Sequence, residues 1–126
     1  SSDKPSASDL GLAPNVAGLL CYVPCCIGFV FAVVAAIVEK QSRFVRFHAF
    51  QSLLLHGAIF VLMCGVVIIQ TGLGLAGLGL VGLLLNAVLM IVGLGLLAID
   101  VLLMIKANSG EEYELPVVGP MARQWV

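Results

Sequence analysis

From Leu10 to Val38 and again from Phe47 to Ile99 the chain carries no aspartate, glutamate, lysine or arginine. Each run exceeds the roughly 20 apolar residues that cross a bilayer core as a helix. A chain of 126 residues that is 61% hydrophobic and 10% charged, with mean hydropathy +1.15, has more apolar surface than a domain of its size can hide. Lipid must therefore be the solvent for most of it. The expected fold class is all-α, a polytopic membrane protein of about three transmembrane helices.

The polar residues 1–9 read as a flexible tail, and Ser1-Ser2-Asp3-Lys4-Pro5 lacks the basic start of a signal peptide. A helical membrane domain follows over residues 10–107, with spans near 10–38, 46–69 and 80–105. The first run is 29 residues long. As one helix it would measure about 43 Å, against a hydrocarbon core of about 30 Å. Pro24 lies near its middle and donates no backbone hydrogen bond, so a break or kink is expected there. Between the second and third spans, Gly72 to Gly82 places glycine every two or three residues and suits a tight turn at the far membrane face. Asn108-Ser109-Gly110 reads as a helix stop with Gly110 as its C-cap, opening a C-terminal segment over 108–126.

Lys40, Arg43 and Arg46 crowd the connection at 39–48, and a basic excess in a short loop marks the cytoplasmic side. Three crossings would bring Lys106 and Arg123 to that side as well and leave Lys4 opposite. A re-entrant first run would instead return the N-terminus to the cytoplasmic face. The same segment has the make-up of an interfacial anchor: Lys40, Arg43 and Arg46 for lipid phosphates, Phe44 and Phe47 inserting beside them.

Several motifs in the sequence compete with plain packing. Gly72-Leu-Gly74-Leu-Ala-Gly77 fits G-x-G-x-x-G, but no strand precedes it and no acidic residue stands about 20 positions on, so a dinucleotide site is not expected. Cys21, Cys25, Cys26 and Cys64 lie inside apolar runs and read as small hydrophobes. His48, Ser52 and His56 recur at i, i+4 and i+8, one stripe on the second span, where such groups face protein or water. Either histidine, His56 above all, has the chemistry to ligate a haem- or chlorophyll-type tetrapyrrole; otherwise no cofactor and no metal is expected. Asp100 is the costliest residue in the spans and is expected to reach the interface near the end of the third span or to pair with Arg43, Arg46 or His48. Gly28, Ala32 and Ala36 form one small-residue face for helix packing, and Asn86, Gly93 and Asp100, seven apart, mark another.

No nucleophile with an adjacent base, no paired carboxylates and no credible phosphate loop are present, so an enzyme is not expected. With no basic stripe and a net charge of −1, nucleic acid is not an expected partner.

Three segments carry a resemblance: Asn15 to Tyr22, Arg43 to Ser52 (RFVRFHAFQS), and Tyr113 to Gly119 (YELPVVG). Together they resemble the small bacterial membrane proteins grouped as Tic20-like (DUF4870-type), related by fold to a plastid protein-import component. That resemblance implies a place in the bacterial cytoplasmic membrane and a protein-import or channel role, with no catalytic residue to carry over. The residues themselves point first to a non-enzymatic accessory or scaffolding subunit that packs against a larger membrane complex. An import component and a tetrapyrrole-binding accessory subunit are the alternatives.

Overall fold

A computed structural model describes residues 9–24 and 26–126. Residues 1–8 of the expected tail over 1–9, Lys4 among them, and Cys25 lie outside the described residues. Those described form helices only: α1 (Pro14–Leu20), α2 (Cys26–Val38), α3 (Arg43–Leu75), α4 (Gly79–Asn108) and α5 (Val118–Arg123).

Two helices, α3 and α4, are long and apolar enough to cross a membrane, with mean hydropathies of 2.5 and 2.8 over their most apolar stretches. Only 6% and 11% of those stretches are buried within the protein. A soluble fold would cover such helices, so their bare sides require hydrocarbon around them.

The first apolar run is not a third span, which corrects the expected count. Pro14 stands in the first turn of α1, where its missing N–H costs nothing, and the helix stops at Leu20. Pro24, which cannot continue a helix and disfavours helical backbone in the residue before it, stands where the chain turns. The turn folds back so tightly that a Cβ on Gly28 would lie 2.1 Å from the Val23 carbonyl oxygen. At 13 residues α2 is about 20 Å long, short of the roughly 30 Å hydrocarbon core. It runs antiparallel to the first half of α3, with Cys26 beside His56 and Phe60 and its far end at Glu39. Both ends of this helical hairpin meet: the Asp9 amide donates to the Glu39 carboxylate (2.8 Å), and the Lys40 amide to that of Asp9 (2.7 Å).

Glycine turns end both long helices in the same way. Leu78 N–H bonds the Leu73 carbonyl and Gly77 N–H that of Gly74; Glu111 N–H bonds Lys106 and Gly110 N–H bonds Ala107. The paired bonds require a left-handed residue, supplied by Gly77 (φ +76°) and Gly110 (φ +81°). Gly72 and Gly74 remain helical, so the far turn is shorter than their spacing suggests.

The core gathers at one end. Ala17, Cys21 and Tyr22 pack with Ala32 and Ala35 of α2, Val45 and Ala49 of α3, and Leu103 and Ala107 of α4. Small residues let α1 wedge between the start of α3 and the end of α4; a Cβ on Gly18 would meet Phe44, His48 and Ala107 within 3.3 Å.

Candidate functional site

The densest polar chemistry lies at this packed end, where the early turns of α3 meet the α1–α2 turn and the segment after α4. Glu111 offers His48 Nε2 only a carbonyl oxygen, at 3.0 Å, so Nε2 carries the proton and donates. His48 Nδ1 then accepts from the Tyr22 hydroxyl at 2.8 Å. The Gln51 amide donates to the Tyr22 oxygen and to the Tyr113 carbonyl, both at 2.9 Å, while Gln51 Oε1 accepts from the Leu115 amide at 2.9 Å. Tyr22, His48 and Gln51 are fully buried, and the chain of donors runs one way from Gln51 through Tyr22 and His48 to Glu111. A buried network with every member satisfied rigidifies what it joins. It ties Glu111 to Leu115 across the top of α3 as a strap.

The strap is tethered a second time by α5. Arg123 pairs with Glu114 and, at 3.3 Å, with Glu112, and lies 4.1 Å over the Phe47 ring. Its hydrogen bond to Glu114 raises the guanidinium's pKa further above its ordinary value. Lys106 pairs with Glu111 at 3.2 Å. Gly119 is necessary to this closure, since a Cβ there would lie 2.6 Å from Glu114 Cβ and 3.0 Å from Gln51 Oε1.

The expected interfacial anchor is therefore drawn partly into the protein. Phe47 is buried beneath Arg123, and Phe44 stacks edge-on against His48 at 4.6 Å. Arg46 donates to the carbonyls of Glu39 (2.7 Å) and Trp125 (3.2 Å). Lys40 and Arg43 alone of the five are exposed. The reason is the return of the chain over α3: Arg123 of α5 covers Phe47, and α1 packs against Phe44.

Asp100 pairs with His56 rather than with Arg43, Arg46 or His48; Nε2 lies 3.1 and 3.2 Å from its two oxygens. His56 Nδ1 faces the Ser52 carbonyl (2.9 Å) and hydroxyl (3.0 Å), and Ser52 gives its own proton to the Cys21 carbonyl. Both histidines named as possible tetrapyrrole ligands thus have both ring nitrogens engaged within the protein.

The small-residue faces divide. Ala32 is buried and Ala36 half-buried on α2, whereas Gly28 serves the turn. On α4, Asn86 meets Gln70 of α3, whose amide donates to Asn86 Oδ1 (2.9 Å) and to the Gly82 carbonyl (3.2 Å). Gly93, between Asn86 and Asp100, has nothing within 4 Å of where a Cβ would stand. Sequence reasoning missed the roles of Tyr22, Gln51 and Gln70. Their signal was simple: polar groups inside apolar runs, each needing a partner on another helix.

Comparison with known proteins supplies the context. Residues 10–122 match the magnetosome magnetite crystal formation protein family, MamF_MmsF. A UPF0132 membrane protein of Methanocaldococcus jannaschii is 36% identical over 94% of this chain and 93% of its own length. A second from that archaeon is 29% identical over 92% of this chain and 72% of its own length. One from Archaeoglobus fulgidus is 34% identical over 89% of this chain and 94% of its own. No solved structure matches. These matches overturn the Tic20-like, DUF4870-type resemblance and, with it, the import role it implied; these relatives are archaeal membrane proteins, which gives no ground for a specifically bacterial location.

Proposed function

The chain belongs to the magnetosome magnetite crystal formation protein family, and we propose that it is a non-enzymatic membrane subunit whose two spans pack against helices of other membrane proteins. One observation carries this reading. Between the His56–Asp100 and Gln70–Asn86 contacts, Gly57 and Gly65 of α3 and Gly93 and Gly95 of α4 have nothing within 4 Å of a built Cβ. Bare glycine backbone in a membrane helix admits close approach by another helix.

Two further observations support it. The carboxylates with which a mineral surface would be met, Glu111, Glu112 and Glu114, are each paired with Lys106 or Arg123, and this favours internal tethering of the strap. A tetrapyrrole iron would have to displace an existing hydrogen bond at His48 or His56, which favours a protein without a resident cofactor. In this reading the packed end, which gathers Asp9, Lys40, Arg43, Arg46, Lys106 and Arg123, faces the cytoplasm under the positive-inside rule.

The test is gentle extraction from native membranes with mass identification of what comes with the chain. Stoichiometric membrane partners are expected, and Gly65→Leu together with Gly93→Leu should release them while the chain itself stays in the membrane. Recovery of the wild-type chain alone, as a monomer, sinks the reading.

A further inference from the structure

His48 and His56 lie eight residues apart on one stripe of α3, yet they meet opposite kinds of partner. His48 has one donor, the Tyr22 hydroxyl, and one acceptor, the Glu111 carbonyl, which is the environment of a neutral imidazole. His56 has acceptors on both sides. Its Nδ1 faces the Ser52 carbonyl, which only accepts, and the Ser52 hydroxyl has already committed its proton to Cys21. Its Nε2 faces the Asp100 carboxyl group. With Nδ1 donating to Ser52, Nε2 and Asp100 face each other as two lone-pair bearers unless one further proton lies between them.

We propose that His56 and Asp100 form a proton-binding site within the membrane, holding one proton between imidazole and carboxyl at neutral pH, and that this proton locks α4 to α3. With the proton the pair is net neutral, either as imidazolium and carboxylate or as imidazole and carboxylic acid. Without it, a bare carboxylate faces an imidazole lone pair in a low-dielectric setting, where an unpaired charge is disfavoured. Asp100 Oδ1 is buried, and among the described residues no group other than His56 stands ready to offset that charge.

Among the described residues, the neighbouring titratable groups leave the site to this pair. From the α1–α2 turn, Tyr22 has its hydroxyl committed to Gln51 and His48, and Cys21 reaches the site only through its carbonyl. From α2, Cys26 lines the same apolar pocket as His56, with Phe29, Ile59, Phe60 and Met63. From α4, Asp100 is the facing group.

The lock has mechanical reach. Ser52 joins the pair to the helical hairpin through Cys21, so α3, α4 and the turn before α2 converge on one proton. Among the described residues, a further polar tie between α3 and α4 joins Gln70 to Gly82 and Asn86 near the far turn. Losing the proton therefore frees the middle of the seam while both ends stay fastened.

The test uses the full chain in phospholipid vesicles, with ¹⁵N-labelled histidine and ¹³C-labelled aspartate read by solid-state NMR. His56→Gln identifies the His56 signals. At neutral pH one of the two partners should be protonated beyond the neutral-imidazole, ionised-carboxylate state, and the proton should leave in one step as the pH rises. In Asp100→Asn the amide can donate to Nε2, so His56 should be neutral throughout the range in which the wild type holds its proton. Spin labels at Gly65 and Gly93 should then report an α3–α4 distance that lengthens with that step in the wild type and stays constant in Asp100→Asn. A pair lacking the proton at neutral pH, one holding two, or a distance change that persists in Asp100→Asn overturns the proposal.

Discussion

Near its start, α3 commits His48 and Gln51 to five hydrogen bonds with other parts of the chain. Further along, the same helix leaves open space where a Cβ would stand on Gly57 and Gly65 and keeps Phe60 mostly exposed, and α4 leaves the same space at Gly93 and Gly95. Among the described residues every charged side chain but Asp100 belongs to the first region, as do nearly all the buried ones. The two regions illustrate two sources of stability. At the packed end water is the competing partner, and burial with satisfied hydrogen bonds holds the elements together. In the lipid half hydrocarbon is as apolar as leucine, so burying leucine gains little and only shape or a polar tie joins the helices.

The sharpest way to break this contrast is at Gln51. Gln51→Leu keeps the volume but leaves the Leu115 amide, the Tyr113 carbonyl and one side of Tyr22 without a partner. An orphaned buried group costs on the order of 1–3 kcal/mol, so a loss of roughly 3 kcal/mol is expected in reversible unfolding from mild detergent. The strap should also become a site of limited proteolysis between Glu111 and Leu115. A variant as stable and as protease-resistant as the wild type would mean that the network does not hold the strap.

The same lesion placed at both ends sharpens the comparison. Gly110→Ala and Gly77→Ala each force a Cβ into a left-handed conformation, with open space around both. Each should cost about 1 kcal/mol, from backbone strain alone. Their consequences should part: Gly110→Ala loosens the exit of α4 into the strap and exposes Glu111 to Leu115 to protease, while Gly77→Ala leaves the strap closed. Equal protease sensitivity would show that the two ends are coupled rather than separately built.

The membrane class and the two long helices were legible because they rest on composition over long stretches, which tertiary structure rarely overrides. The break at Pro24 was legible too, as was the stop at Gly110, since each is a local backbone fact. What local reasoning left open was the direction of the chain after the break. A run of 29 apolar residues can cross once or enter and return, and the choice depends on whether Val23 to Gly28 can turn within the protein. The partner of Asp100 was out of reach for a related reason. Arg43, Arg46 and His48 shared its expected depth under a three-span register, whereas the observed register of α3 against α4 brings His56 opposite it. Phe44 and Phe47 have the composition of lipid anchors; the return of α5 over α3 buries Phe47 beneath Arg123, while Phe44 packs half-buried against His48 and α1.

Gln70 offers the smallest effect and the finest test of the lipid half. Its amide bridges α3 to the Gly82 carbonyl and the Asn86 side chain, and a Cβ on Gly82 would sit 2.7 Å from Gln70 Oε1, so the helices approach closely there. In water such a tie would compete with solvent; in lipid the competitor is whatever partner the separated helices can find. Measured side-chain hydrogen bonds between membrane helices average about 0.6 kcal/mol for that reason. Gln70→Leu should therefore cost about 0.6 kcal/mol in unfolding from detergent, several-fold less than Gln51→Leu, and leave the strap resistant to protease. A loss as large as that at Gln51 would place the far clasp on the same footing as the packed end, and the distinction between the two regions would have to be redrawn around polar ties rather than around solvent.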